Sequence, residues 1–184
     1  MTMTRLVPGS SLIAVVDIQE RLAAAMPGDA LEKMVKNVNI LLEAAKLLSI
    51  KVLATEQYPN GLGATLPTVA ANLSTTPFDK LTFDACGEPR FAHALAEAAP
   101  RDVIVVGMET HVCVFQTARE LVRIGYRVIV AADAVCSRSD ENRTLGLRLA
   151  SDVGVMVAPT ETIVFDWLER AGSDAFKSIS KLLR

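Results

Sequence analysis

The chain has 184 residues, of which 51% are hydrophobic, 22% charged and 5% aromatic. This length and apolar content predict a single globular domain over residues 1–184 and exclude an intrinsically disordered chain. The 19 Lys and Arg residues against 21 Asp and Glu residues leave a formal net charge of −2. That balance excludes a strong electrostatic attraction to nucleic acid or to an anionic membrane.

The cysteines and the first residues indicate the cellular compartment. No apolar run approaches the roughly 20 residues of a membrane-spanning helix, and residues 1–10 lack the apolar block of a secretory signal. Cys86, Cys113 and Cys136 are odd in number and have no paired spacing, which is typical of free thiols in a reducing compartment. We therefore expect a cytoplasmic protein with no membrane or nucleic-acid partner.

Short β-branched runs alternate with amphipathic helical stretches along the chain, which predicts one α/β domain. In the first half the predicted elements are strands over residues 11–17, 51–55 and 75–83 and helices over residues 29–45 and 66–73. The first strand is apolar on both faces, as a central parallel strand would be, and it ends on Asp17. The weakly periodic stretch 56–90 is typical of a functional loop, and its strand carries Lys80.

In the second half the predicted elements are strands over residues 102–106, 127–131 and 154–157 and helices over residues 89–99, 110–125, 139–152, 160–170 and 176–183. Leu145 and Leu149 are expected to face the core, and Cys113 lies in the first turn of its helix. The pattern predicts a three-layer α/β/α sandwich with a mostly parallel, Rossmann-like central sheet of about six strands. Right-handed crossovers then place the carboxyl ends of the strands along one edge, where ligands of such sheets bind.

Asp17, Lys80 and Cys113 are the ionisable groups that this topology could bring together. The positive end of a helix dipole and a nearby ammonium would lower the pKa of a thiol, and a carboxylate could accept its proton. Each of these residues also has a purely structural interpretation, which the sequence alone does not exclude. Cysteine is commonly a packing residue, Asp commonly forms turns at strand ends, and Lys is commonly solvated.

Several segments resemble the isochorismatase-like cysteine hydrolase family. The segments are Val15-Val-Asp-Ile-Gln19, Phe78-Asp-Lys-Leu-Thr-Phe83 and Gly107-Met-Glu-Thr-His-Val-Cys-Val114. Three further stretches resemble the subgroup of isochorismatase domain-containing proteins: Thr55-Glu-Gln-Tyr-Pro-Asn-Gly-Leu-Gly63, Ala132-Asp-Ala-Val-Cys-Ser-Arg-Ser139 and Phe176-Lys-Ser-Ile-Ser-Lys-Leu-Leu183. The resemblance covers nearly the whole chain.

The resemblance implies a catalytic triad in which Asp17 is the general base, Lys80 its charge partner and Cys113 the nucleophile. It also implies a cis peptide bond between Met108 and Glu109. The N–H groups of Glu109 and Cys113 would then form an oxyanion hole. The implied reaction is covalent acyl transfer through a thioester that water hydrolyses.

Two departures from family patterns narrow the substrate. Nicotinamidase-like members carry an Asp-x-His metal site after the second strand, whereas this chain has Glu56-Gln-Tyr58 and only 2 histidines. A metal site needs about three converging protein ligands, so we expect no metal and no cofactor, and nicotinamide is disfavoured. Isochorismatases that cleave a vinyl ether lack the nucleophilic cysteine, so Cys113 argues against that reaction.

Residues near the three candidates in sequence are expected to contact the substrate. They are Gln19, Leu22, Glu56, Tyr58, Phe83 and Met108. Tyr58 would suit a lid because its ring is apolar and its hydroxyl is polar. Glu56 would favour a cationic substrate if it faced inward, and would otherwise be an exposed loop carboxylate. His111 would either line the pocket or be a surface or interface residue.

The predicted function is metal-independent cleavage of a C–N bond in a small amide or carbamoyl compound. Isochorismatase-type or ester hydrolysis on the same scaffold is the enzymatic alternative, and a low-turnover oligomeric binding or scaffold protein is the alternative of another class. The resemblance implies a homo-oligomer, a dimer or tetramer, for which Trp167 and Phe176 could supply an apolar interface.

Overall fold

The computed structural model describes residues 4–183. Within that range it contains a single sheet of six parallel strands in the order β3-β2-β1-β4-β5-β6. The strands are β1 (Ser11–Val16), β2 (Lys51–Gln57), β3 (Phe78–Lys80), β4 (Asp102–Met108), β5 (Arg127–Cys136) and β6 (Met156–Ala158). The predicted parallel α/β architecture is confirmed.

Helices cover both faces of the sheet. They are α1 (Glu20–Ala23), α2 (Gly28–Leu48), α3 (Pro59–Leu62), α4 (Pro67–Ala70), α5 (Pro89–Ala98), α6 (Phe115–Arg123), α7 (Asp140–Asp152), α8 (Thr160–Leu168) and α9 (Asp174–Leu182). One core lies between the sheet and α2, α8 and α9, and the other lies between the sheet and α5, α6 and α7. Among residues 4–183, no helix combines the length and apolar character needed to cross a bilayer.

The central strands are buried on both faces. Every residue of β1 and β4 is buried, and successive side chains alternate between the two cores, as Ile13 and Ala14 do. This two-sided burial explains why these strands read as continuous apolar runs rather than as an alternating pattern. It also fixes the positions at which the strands end at the carboxyl edge of the sheet.

A glycine sets the spacing between β1 and β4 at that edge. Gly107 is paired with Val16, and its φ is +118°, in a region that L side chains rarely adopt. A Cβ at this position would overlap the Val16 carbonyl oxygen. Gly107 therefore lets the two strands approach closely immediately before Asp17 and Glu109.

The structure corrects the predicted inner face of α7. Leu145 and Leu149 are exposed, whereas Gly146 and Ala150 are buried. A Cβ on Gly146 would lie 2.8 Å from the Cα of His111, so this helix packs its smallest residue against the backbone of the turn that follows β4. Close approach of main chains at this point outweighs burial of the larger leucine side chains.

Trp167 does not supply an exposed apolar surface. Its side chain is buried between α8 and the sheet, and its Nε1–H donates a hydrogen bond to Ser11 Oγ at 3.0 Å. Phe176 packs against the same core, and its ring contacts that of Phe165. The expectation of an interface built on Trp167 is therefore wrong, because the apolar surface of the indole is buried and its N–H is hydrogen-bonded within the fold.

Candidate active site

Asp17 follows the last residue of β1 and is completely buried. Its φ is +52°, in the left-handed region, where Asp is among the more tolerated side chains. Its N–H donates to the Thr55 carbonyl at 3.1 Å, and Thr55 Oγ1 donates to Asp17 Oδ1 at 2.8 Å. The neighbouring strand β2 thus fixes both the main chain and one carboxylate oxygen.

Lys80, the last residue of β3, reaches the same carboxylate. Its Nζ lies 2.7 Å from Asp17 Oδ2 and 2.7 Å from Gln57 Oε1, and 3.1 Å from each of the Thr82 and Phe83 carbonyl oxygens. These are four acceptors for the three N–H donors of a lysine ammonium, so every donor has a partner. The buried side chain is consequently held in one position, with its Nζ facing Asp17.

Cys113 lies in a π-helical turn, Thr110–Val114, that connects β4 to α6. The residue is 6% exposed. Burial raises the pKa of the Cys113 thiol to about 12, the negative charge of Asp17 adds to the increase, and the Lys80 ammonium opposes it. The fold therefore brings the three ionisable candidates into mutual electrostatic contact at the carboxyl edge of the sheet.

The predicted lowering of the thiol pKa is wrong for this arrangement. Loss of hydration disfavours the thiolate, and the unfavourable charge of Asp17 outweighs the favourable charge of Lys80. Cys113 is therefore a neutral thiol beside a buried ion pair. It can become a strong nucleophile only if its proton leaves as it attacks.

The turn before Cys113 presents a main-chain donor. The peptide bond between Met108 and Glu109 is cis, as the resemblance implied. Among residues 4–183, the Glu109 N–H donates to no protein acceptor. Such an N–H is available to a ligand oxygen, which is the property that an oxyanion hole requires.

Two of the predicted substrate contacts instead hold the loop between β2 and α4. The Gln19 side chain donates to the Gln57 and Gly63 carbonyls at 3.0 and 2.7 Å, and its Oε1 accepts from Gln57 N–H at 2.7 Å. Glu56 Oε1 accepts from both the N–H and the hydroxyl of Thr65 at 2.7 Å. These contacts give Gln19 and Glu56 a role in positioning the loop.

The remaining predicted contacts divide between the core and the surface. Met108 is buried in the core on the α2 side, opposite to the core that contains Cys113, and Leu22 packs against the α2-side core. Tyr58 and Phe83 are 53% and 54% exposed. Tyr58 lines an open cleft of about 490 Å³ that also reaches Lys80. The structure therefore leaves Tyr58 and Phe83 as the predicted residues whose side chains are free to meet a substrate.

The histidines lie apart from any cluster of metal-binding side chains. His93 faces Glu97 on α5, and His111 Nδ1 lies 3.1 Å from Ser137 Oγ. In the described part of the chain, no three His, Cys, Asp or Glu side chains are grouped so that they could bind a metal ion.

Comparison with known proteins identifies the family. Residues 11–162 match the family described as "Isochorismatase domain". The chain belongs to the isochorismatase family. All three ionisable candidates fall within the matched residues.

Relatives in the isochorismatase family match over nearly the full length. The chain is 36% identical over 186 residues to "Secreted isochorismatase effector Isc1" of Phytophthora sojae, with 98% of this chain and 87% of that protein covered. It is 34% identical over 182 residues to "Isochorismatase domain-containing protein 2" of Bos taurus, covering 98% and 86%. A solved structure titled "Structure of MAR1 Ribonuclease from Caenorhabditis elegans" superposes with a TM-score of 0.90 at 34% identity, covering 98% and 92%.

Sequence reasoning missed several residues that contact the candidate site. Gln57 holds Lys80, and Ser137 and Arg138 contact the turn before Cys113. Gln57 could have been found, because it lies two residues after Thr55 on the same face of a strand adjacent to Lys80. No comparable sequence pattern indicated Arg138, because it is far from its partner Glu109 in the sequence.

We predict that Lys80→Met slows alkylation of Cys113 by iodoacetamide at pH 8 by about tenfold, because it removes the charge that opposes the high thiol pKa. Site-resolved mass spectrometry would measure the rate for each cysteine. Lys36→Met, on an exposed position of α2, is the control and should leave the rate unchanged. An unchanged rate in Lys80→Met would contradict a role for the ammonium charge.

Proposed function

We propose that this chain is a metal-independent cysteine hydrolase that cleaves a C–N bond of a small amide or carbamoyl compound. The observation that supports the proposal is the buried Asp17–Lys80 pair beside the Cys113 thiol. A nucleophile, a proton acceptor and a fixed positive charge are the groups that acyl transfer through a thioester requires. The absence of grouped metal-ligand side chains among residues 4–183 is compatible with this chemistry.

In the first half of the reaction, Cys113 Sγ attacks the carbonyl carbon while Asp17 accepts the thiol proton. The carbonyl oxygen becomes negative and accepts hydrogen bonds from the N–H groups of Glu109 and Cys113. The C–N bond then breaks, Asp17 returns the proton to the departing nitrogen, and an acyl thioester remains on Cys113. The ion pair with Lys80 stabilises the negative charge of Asp17.

In the second half, water attacks the thioester carbonyl and Asp17 accepts a proton from that water. Collapse of the tetrahedral intermediate releases the carboxylic or carbamic acid, and the proton passes to Cys113 Sγ. The high resting pKa of the thiol fits this cycle, because Asp17 removes the proton only in the presence of an electrophile. The same property protects the idle thiol from alkylation and oxidation.

We predict that acid-quenched reactions with a panel of small amides and carbamoyl compounds carry an acyl mass on the Cys113 peptide. The adduct and the hydrolysis should both disappear in Cys113→Ala, because no other thiol replaces the nucleophile. Cys86→Ala is the control, since Cys86 is a partly exposed thiol on a separate 3₁₀ turn, Ala85–Gly87. Amide hydrolysis that persists in Cys113→Ala would contradict the mechanism.

The names of the relatives suggest two other reactions, and the same panel tests them. Isochorismate is included because one relative is named an isochorismatase effector; hydrolysis of its vinyl ether needs no acyl intermediate and would survive Cys113→Ala. An RNA oligonucleotide is included because one structural neighbour is titled a ribonuclease. A net charge of −2 gives this chain no general attraction to RNA.

We further propose a cytoplasmic location and self-association into a dimer or tetramer. The three free cysteines are compatible with a reducing compartment. Exposed Leu81 and Phe83 beside Lys80 supply apolar surface near the site. If every compound in the panel leaves Cys113 unmodified while the chain self-associates, a binding or scaffold role would replace the enzymatic proposal.

A further inference from the structure

The segment that follows β5 holds the turn before Cys113 through several polar contacts. Thr110 N–H donates to Ser137 Oγ at 3.1 Å, and Thr110 Oγ1 donates to the Cys136 carbonyl at 3.0 Å. Glu109 Oε2 accepts from the N–H of Arg138 at 3.1 Å and from its Nε at 3.0 Å. The donor and the nucleophile of the site are thus connected to β5 through Glu109 and Thr110.

The Glu109 carboxylate is unfavourable for the chemistry beside it. The residue is buried, and its negative charge raises the pKa of the Cys113 thiol, as does that of Asp17. An uncompensated carboxylate would also repel a developing oxyanion. Arg138 is the cation that pairs with it, and 59% of the arginine side chain is exposed.

We propose that Arg138 is a positioning residue that neutralises the Glu109 carboxylate and holds the Glu109 N–H where a substrate oxygen can meet it. This inference rests on the proposed acyl-transfer function. Arg138 acts through Glu109, so it is not itself a catalytic residue. The titratable groups that the Glu109 charge influences are Cys113 and Cys136, and both are retained in the variants that test it.

The test compares alkylation of Cys113 by iodoacetamide at pH 8 in the full-length chain and three variants. Arg138→Met should slow alkylation about threefold, because the Glu109 charge is no longer balanced. Glu109→Gln should accelerate alkylation about threefold, because the Arg138 cation remains without its carboxylate. The double variant should match the rate of the parent, because both charges are removed.

The control is Arg123→Met, which removes an arginine from an exposed ion pair with Glu120 on α6, the helix that follows the turn carrying Cys113. Its alkylation rate should equal that of the parent. A double variant as slow as Arg138→Met, or slower alkylation in Glu109→Gln, would overturn the proposal, because a purely structural role predicts losses that accumulate rather than cancel.

Alkylation needs no turnover, so the outcome separates the two proposals. Opposed and cancelling rates without hydrolysis of any amide would support the role of Arg138 and reject the proposed reaction. Hydrolysis through Cys113, without opposite changes of the alkylation rate in Arg138→Met and Glu109→Gln, would support the proposed reaction and reject the role of Arg138. Melting temperatures of the variants show whether a slow rate reflects loss of folding.

Discussion

Asp17→Asn is expected to make Cys113 more reactive toward iodoacetamide while it abolishes turnover. Asparagine has the same shape and keeps hydrogen-bonding groups toward Thr55 and Lys80, but it has no negative charge and cannot accept a proton. The thiol pKa should fall, because the Asp17 charge that raises it is gone and the Lys80 charge that lowers it remains. We expect alkylation at pH 8 to accelerate at least about tenfold, and hydrolysis to fall by about 10²–10⁴-fold.

The two rates would be measured on the same preparations, alkylation by site-resolved mass spectrometry and hydrolysis by product release. Asp102→Asn is the matched control, because Asp102 is also fully buried and pairs with Arg101 and Arg127. It is the first residue of β4, whereas Cys113 lies in the turn that follows the other end of that strand. Asp102→Asn should therefore lower thermal stability and leave both rates unchanged. Slower alkylation in Asp17→Asn would show that Asp17 does not set the thiol pKa.

The strands could be predicted from the sequence where a continuous run of apolar residues had to be buried. Residues 102–106 lie within β4, and the strand continues to Met108 because Gly107 allows a tight approach to β1. Only Phe78–Lys80 of the predicted strand over 75–83 forms β3. Beyond Lys80 the carbonyl groups of Thr82 and Phe83 turn toward the ammonium instead of continuing the ladder, and nothing in the local pattern indicates that choice.

The composition of the candidate site was predictable to a greater extent than its electrostatics. Asp17, Lys80 and Cys113 meet because parallel strands end at one edge, a property of topology. The direction of the thiol pKa shift depends on the depth of burial and on the distance to a carboxylate, which no sequence motif states. The contact between Arg138 and Glu109 likewise depends on how β5 passes the turn after β4.

Gly107→Ala is expected to destabilise the fold strongly, and more than the same change at Gly125. The residue has a φ of +118°, and an added Cβ would overlap the Val16 carbonyl oxygen, which is main chain and cannot rotate away. We expect the free energy of unfolding to fall by at least about 3 kcal/mol. The melting temperature should fall by roughly 6–12 °C, as thermal denaturation followed by circular dichroism would show.

The control separates the cost of the steric overlap from the cost of placing alanine at a positive φ. Gly125 has a φ of +100°, and a Cβ there would meet nothing within 4 Å, so Gly125→Ala should lose only about 1–2 kcal/mol. The Gly107 variant should also lose Cys113-dependent hydrolysis at temperatures where it remains folded, because separating β4 from β1 moves Glu109 away from Asp17. Equal losses of stability in the two variants would mean that the approach of the strands tolerates a methyl group. The closeness of β1 and β4 would then not be what positions the site.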